Sequence, residues 1–370
     1  MRSRRHFLYQ LAAAATDMAA SADRCFTVAQ RGGRWWFITP GGAPFFSLGF
    51  NHIDSAPLRE AGSGEIWSAK YGNSIERWLK EAVAPDLRAW GFNSVGWTQE
   101  VVIRGGSIHR HSPSFTLEEY QWLGLPYCHL LPFAETHQWE NETRHPDFFS
   151  KDFEDWCDYV ARSQCARFAD DPKLIGYFYT DCPAWVHTKP PNAWKGPLFD
   201  PAKFATDAGK AELRKLATRY YQVTHDAIRR YDAHHLILGD RYEANAPLPV
   251  EVVESAKPFV DVLCFQDFRE PVKHLAEWHS LTGKPVLWAD GARSVPMQGS
   301  KAMRNDGAWY AERLRALREN PGCIGVHLCG AYLRNNARHR GLRDARELPD
   351  EENIALITAA NRETTAWVPR

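Results

Sequence analysis

The sequence lacks the features that mark several large functional classes. It has no surplus of charge: 45 Lys and Arg balance 45 Asp and Glu over 370 residues. Neutralising a phosphate backbone takes a basic surplus, so no nucleic-acid partner is expected. No apolar run approaches the roughly 18 residues of a membrane-spanning helix, so no membrane partner is expected either. None of the eight cysteines forms a Cys-x-x-Cys pair and no His-Glu-x-x-His spacing occurs, so no metal site is expected. Cys128 and Cys264 lie inside apolar runs, where a thiol behaves as a small hydrophobe, and the cysteines are expected to be reduced. No internal repeat, low-complexity tract or long linker marks the chain as a purely structural or interaction protein.

Aromatic residues, by contrast, are plentiful: 15 Trp, 13 Tyr and 19 Phe. A large core uses many of them, and indole also suits half-wet sites such as the face of a sugar ring. Ahead of the folded pattern, Ser3-Arg4-Arg5-His6-Phe7-Leu8 has the form of a twin-arginine export signal, with Ala20-Ser21-Ala22 as a cleavage site. Gln10 and Asp17 interrupt its apolar part. Residues 1–25 are therefore read as an extension of a cytoplasmic chain, with periplasmic or secreted export as the alternative.

From residue 26 to 370 one domain is expected. Arg34–Ile38 and Pro44–Phe50 read as two strands joined by the turn Thr39-Pro40-Gly41-Gly42. Further strands are predicted at Phe92–Trp97, Pro126–Phe133, Leu174–Asp181, His235–Tyr242, Val260–Asp267, Lys284–Asp290 and Ile324–Gly330. Helical spacing fills most gaps, at Ile75–Trp90, Lys151–Phe168, Pro201–Tyr231, Val272–Thr282 and Ala308–Arg318. Eight strands alternating with helices predict an α/β fold, a (β/α)8 TIM barrel with an N-terminal β-hairpin. An open doubly wound sheet is the alternative, but no Gly-x-Gly-x-x-Gly follows the first strand.

In this barrel the C-terminal strand ends face a shared mouth. They supply Asn51, His52, Asp54, Trp97, Phe133, Glu135, Asp181, Trp185, Asp240, Arg241, Glu243, Gln266, Asp267, Trp288, Asp290, His327 and Tyr332. This acidic, aromatic rim suits a neutral, polyhydroxylated ligand. Two of its carboxylates close apolar strands, Asp181 in Leu174–Asp181 and Asp290 in Lys284–Asp290. Glycoside cleavage needs one proton donor and one nucleophile or base, and these two are the catalytic candidates. Trp97, Trp185, Trp288 and Tyr332 are candidates for stacking on sugar; Asn51, His52, Arg241, Gln266 and His327 for binding hydroxyls. Plainer roles compete: Asp54 and Asp240 as helix caps, Trp185 and Trp288 as packing, His52 and His327 as core histidines. The walls of the pocket are expected from Arg104–Gln121 and His187–Phe199.

The stretch Gly33-Arg34-Trp35-Trp36-Phe37-Ile38-Thr39-Pro40-Gly41-Gly42-Ala43-Pro44-Phe45-Phe46-Ser47-Leu48-Gly49, with Leu174–Trp185 and Lys284–Asp290, resembles the clan A (β/α)8 glycoside hydrolases, closest to the beta-agarase-like group. The resemblance covers nearly the whole chain after residue 30. It implies cleavage of a glycosidic bond in an oligo- or polysaccharide, of galactan or agar type, with a carbohydrate substrate and no cofactor. It also implies an acid on the fourth strand and a nucleophile on the seventh. The family ends the fourth strand in Asn-Glu, where this chain has Asp181-Cys182, and its nucleophile is Glu, where this chain has Asp290. The nucleophile maps onto Asp290; the acid falls to Asp181, one position early. Shorter side chains should open the gap between them, which suits either inversion or a bulkier or differently oriented sugar, and leaves retention or inversion undecided. Two further readings stay open: an alpha-glycosidase arrangement with Asp181 as nucleophile and Asp267 as acid, and a sugar-binding barrel without catalysis.

Overall fold

A computed structural model describes residues 24–369 apart from 61–63, 106–107, 136–138, 140–144, 189–199, 298 and 300–302. The twin-arginine stretch and most of His187–Phe199 lie outside the described residues.

Eight parallel strands close into one barrel. They are β1 Ser47–Phe50, β2 Ser94–Val95, β3 Tyr127–Leu130, β4 Leu174–Asp181, β5 Leu236–Glu243, β6 Leu263–Gln266, β7 Val286–Gly291 and β8 Cys323–Leu328. Closure is made by β8 against β1, with Gly325 opposite Ser47 and Leu328 opposite Phe50. An open sheet is thereby ruled out. Nearly every strand residue is buried, because the strands are covered by side chains inside and helices outside.

After a short helix at Gly64–Tyr71, the helices packed around the strands are α1 (Ile75–Trp78, continuing through Leu79–Val83 into Ala84–Ala89), α2 Leu117–Leu123, α3 Lys151–Phe168, α4 Asp207–Tyr231, α5 Val250–Ala256, α6 Pro271–Thr282, α7 Gly307–Arg318 and α8 Glu351–Trp367. Their starts are written in side chains: Thr116, Ser150, Thr206 and Asp306 each accept a backbone N–H at N2 or N3. Thr206 also explains why the expected helix from Pro201 is broken, since its cap starts α4 afresh after Pro201–Phe204. Within α1 the turn Leu79–Val83 widens to a π-helix just before Pro85, whose ring and missing N–H disturb the preceding turn.

Ahead of the barrel, Thr27–Arg31, Arg34–Ile38 and Pro44–Phe45 form a three-stranded antiparallel sheet, one strand more than the expected hairpin. It covers the N-terminal end of the barrel. Trp35 N donates to Pro321 O at 2.8 Å, and Arg34 donates to the carbonyls of Arg318, Asn320 and Cys323. Phe26 and Phe37 join one apolar cluster with Ile175, Leu238, Val262, Leu287 and Ile324 from the barrel interior. With the base plugged, the opposite mouth is left to hold a ligand.

Candidate active site

A cavity of about 440 Å³ opens at the C-terminal ends of the strands. Asp181, Glu243, Gln266 and Asp290 reach it from β4, β5, β6 and β7. Two antiparallel hairpins wall it: Val101–Gly105 with Ile108–His111, contributing Val101 and His111, and Ser294–Pro296 with Met303–Asn305, contributing Ser294 and Met303. Cys329, Arg338 and Arg340 close the side beyond β8. His52, Cys182 and Ala331, each just past a strand end at this mouth, have φ of 66°, 45° and 51°. Non-glycine residues in the left-handed region cost energy, and such strain concentrates where side chains must be aimed.

Arg241, fully buried, organises the carboxylates. Its Nε donates to Asp181 Oδ1 at 2.9 Å and its Nη2 lies 2.8 Å from the same oxygen. The same Nη2 is 4.0 Å from Asp290 Oδ2. The two carboxylate oxygens are thus no farther apart than those two spans laid end to end. That distance touches the short end of the inverting range of about 6.5–9.5 Å and allows the retaining spacing of about 5–5.5 Å. Asp290 Oδ1 also accepts from Asn51 Nδ2 at 2.7 Å, and His52 Nε2 stands 3.5 Å from Oδ2. Burial opposes charge on Asp290, but His52, Arg241 and Arg338 outweigh it and hold the carboxyl well below the usual range. His52 answers in kind: burial and Arg338 work against its proton, while Cys329 and Asp290 raise it to about 9.

Glu243 is held differently. Its carboxyl is pushed up, first by burial and further by the charges of Asp267 and Asp290, against two hydrogen bonds from Asn245. Asp181 Oδ1, beside its bonds from Arg241, accepts from Gln266 Nε2. The cavity therefore has one carboxylate held ionised and one carboxyl shifted toward its protonated form.

Of the residues expected from sequence, Asp181, Gln266 and Asp290 line the cavity, and Asn51, His52 and Arg241 support Asp290 from below. The expected stacking platforms do not reach it. Trp97 lies under Arg241, whose guanidinium carbon is 4.0 Å from its ring. Trp185 packs with Trp139, Tyr220 and Tyr221. Trp288 donates to Asp267 O, and the Tyr332 hydroxyl donates to Asp86. All four are 2 % exposed or less, so they serve the core. His327 is a core histidine: Ser47 Oγ lies 2.8 Å from Nε2, and burial with Arg241 lowers it to about 3. Asp267 caps the turn before α6, accepting from the N–H of Arg269 and Glu270 and pairing with His274, so the pairing of Asp181 with Asp267 as acid is not supported by this geometry. Asp240 binds the hydroxyls of Tyr220 and Tyr221. Phe133 is buried, Glu135 exposed.

Sequence reasoning missed the basic side of the cavity. Cys329 Sγ accepts from Arg338 Nη1 at 3.0 Å and Arg340 Nη2 at 2.8 Å. Burial raises that thiol, yet Arg340 and Arg338 bring it below its ordinary value. The signal was the arginine-rich run Arg334 to Arg343 after the last strand. The chain also has one His-x-His spacing, His109-Arg110-His111, of which His111 lines the cavity. His52, Asp290 and Cys329 offer ligand atoms within 4.8 Å of one another, a geometry that fits a small cation. Two guanidiniums on the sulfur disfavour one.

No protein-family model matches the chain, and no curated protein matches it. Solved structures resemble it in fold. An agarase superposes with a TM-score of 0.72 at 15 % identity, covering 94 % of this chain and 64 % of the agarase. An exo-beta-agarase gives 0.71 at 15 %, covering 93 % and 65 %. A beta-D-glucuronidase from Dictyoglomus thermophilum gives 0.56 at 14 %, covering 91 % and 54 %. The chain spans about two thirds of the length of these agarases.

Proposed function

We propose that this chain is a glycoside hydrolase in which Asp290 acts as nucleophile or base and Glu243 as proton donor. The observation that carries this reading is the division of labour in one cavity: Asp290 kept ionised by His52 and Arg241, Glu243 shifted upward by burial. The donor passes its proton to the glycosidic oxygen as the C–O bond to the sugar breaks. Asp290 either forms a bond to the anomeric carbon or takes a proton from the attacking water. Gln266 and Arg241 hold Asp181 beside them. The barrel shared with agarases and a glucuronidase supports this class of reaction, and a galactan is the first polymer to test.

A second reading keeps Asp181 as donor. It is favoured by Arg241, which brings Asp181 and Asp290 to a single nitrogen. The two differ in leaving-group dependence. General acid catalysis contributes about 10²–10⁴ in rate for a poor leaving group and little for a good one. Glu243→Gln should lose that much on alkyl glycosides or oligosaccharides and little on glycosyl fluorides, while Asp290→Asn loses activity on both. The same signature in Asp181→Asn instead assigns the acid to Asp181. Sugar binding without turnover by the wild type would leave only a binding barrel.

A further inference from the structure

We propose that the cavity takes an acidic sugar, with Arg338 and Arg340 holding its carboxylate or sulfate group. The sugar itself rests on the glycosidase reading; the anion subsite rests on the arginines. Both come from the irregular segment after β8, and that segment is pinned. Asn335 Oδ1 accepts from the backbone N–H of Ala337 and Arg338 at 3.0 and 2.7 Å, and Asn335 Nδ2 donates to Val101 O at 3.0 Å. Arg340 Nη1 donates to Ser294 Oγ at 2.7 Å, tying it to the opposite hairpin. The Arg338 side chain is only 8 % exposed, with Nε 2.9 Å from Glu100 Oε1.

Three features point to an anion. First, Arg340 Nε is buried with no hydrogen-bond partner among the described residues. An unsatisfied buried donor is costly, and on a guanidinium it calls for an acceptor. Second, both guanidinium forks donate to Cys329 Sγ, so this corner already gathers donors around one acceptor. A planar fork matches the paired oxygens of a carboxylate or sulfate. Third, the cavity is polarised. Asp181, Glu243 and Asp290 reach it from the ends of β4, β5 and β7, and the arginines from beyond β8. A sugar spanning it places its reacting bond over the acids and an acidic substituent on the arginines. This replaces the neutral ligand expected from the rim alone.

The test is binding, measured by saturation-transfer NMR on the whole chain with free monosaccharides, which have no bond to cut. Galacturonate and galactose 6-sulfate are compared with galactose, glucuronate with glucose. One acidic sugar should bind about tenfold or more tightly than its neutral counterpart, as one charge-assisted contact implies. Preference for the uronate or for the sulfate ester identifies the group. Arg340→Gln should abolish the preference, Arg340→Lys should keep part of it, and sulfate ion should compete. Equal binding of acidic and neutral sugars overturns the proposal, as does an unchanged preference in a folded Arg340→Gln protein. If that variant does not fold, the wild-type comparison and the sulfate competition decide. Neutral glycosides hydrolysed without acid preference would sink the anion subsite and leave the hydrolase standing. Arginine-dependent acid binding without hydrolysis would do the reverse.

Discussion

Arg241 is fully buried, yet it carries its charge at the centre of the barrel between two carboxylates. Removing a cation of this kind leaves like charges uncompensated in a poorly solvated place, which costs about 3–5 kcal/mol. Arg241→Met should therefore lose that much in denaturant unfolding, and adding Asp181→Asn should recover part of it. The same residues set a pH dependence. Asp290 is ionised well below the usual carboxylate range, so it imposes no acidic limb. As the proposed donor, Glu243 has to keep its proton, and its carboxyl is raised above the ordinary 4.5, so kcat/KM should fall as pH rises through that shifted value. Glu243→Gln should remove this alkaline limb. At this scale the sequence showed Asp181 and Asp290, because an apolar strand that stops at an acid is a local pattern. It hid Arg338 and Arg340, because no periodicity describes an irregular segment. It also could not tell a buried aromatic ring from one on a cavity wall, which is why Trp97, Trp185, Trp288 and Tyr332 stood as candidates for platforms.

Between α4 and β5, the junction is held by a buried pair: His235 Nδ1 lies 2.7 Å from Asp232 Oδ2, to which Tyr177 also donates. Burial opposes both charges, but each partner sustains the other, raising His235 to about 9 and lowering Asp232 to about 2. The raised histidine contributes stability fully below its ordinary 6.5 and loses it as pH climbs through about 9. The lowered aspartate contributes fully above 3.8 and loses it as pH falls through about 2. Wild-type unfolding midpoints should thus fall on the alkaline side between those two histidine values, and in His235→Gln that decline should be shallower, leaving the share of His52, which is raised to the same value. Elements such as α3 and α7 were legible because a cap residue precedes an apolar period. The π turn in α1 was not, since it arises from Pro85 acting on the turn before it.

For the whole molecule, the closed barrel followed from counting alternating segments, while the third strand of the basal sheet escaped notice because Thr27–Arg31 is half exposed and weakly apolar. That sheet seals the interior through Phe37, which is fully buried. Phe37→Ala should cost about 3–5 kcal/mol in unfolding free energy, a core-cavity penalty, although it lies at the opposite end from the acids. The burial of the tryptophans also has an optical side. Among the described residues, the aromatic side chain lining the mouth is Phe268, while Trp97, Trp185 and Trp288 stay sealed from water. Their emission should be blue and unresponsive to soluble quenchers, and saturating the site with sugar should barely change it. A fluorescence change on titration with sugar would then have to come from tryptophans outside this sealed set, such as the exposed Trp156, and not from these three.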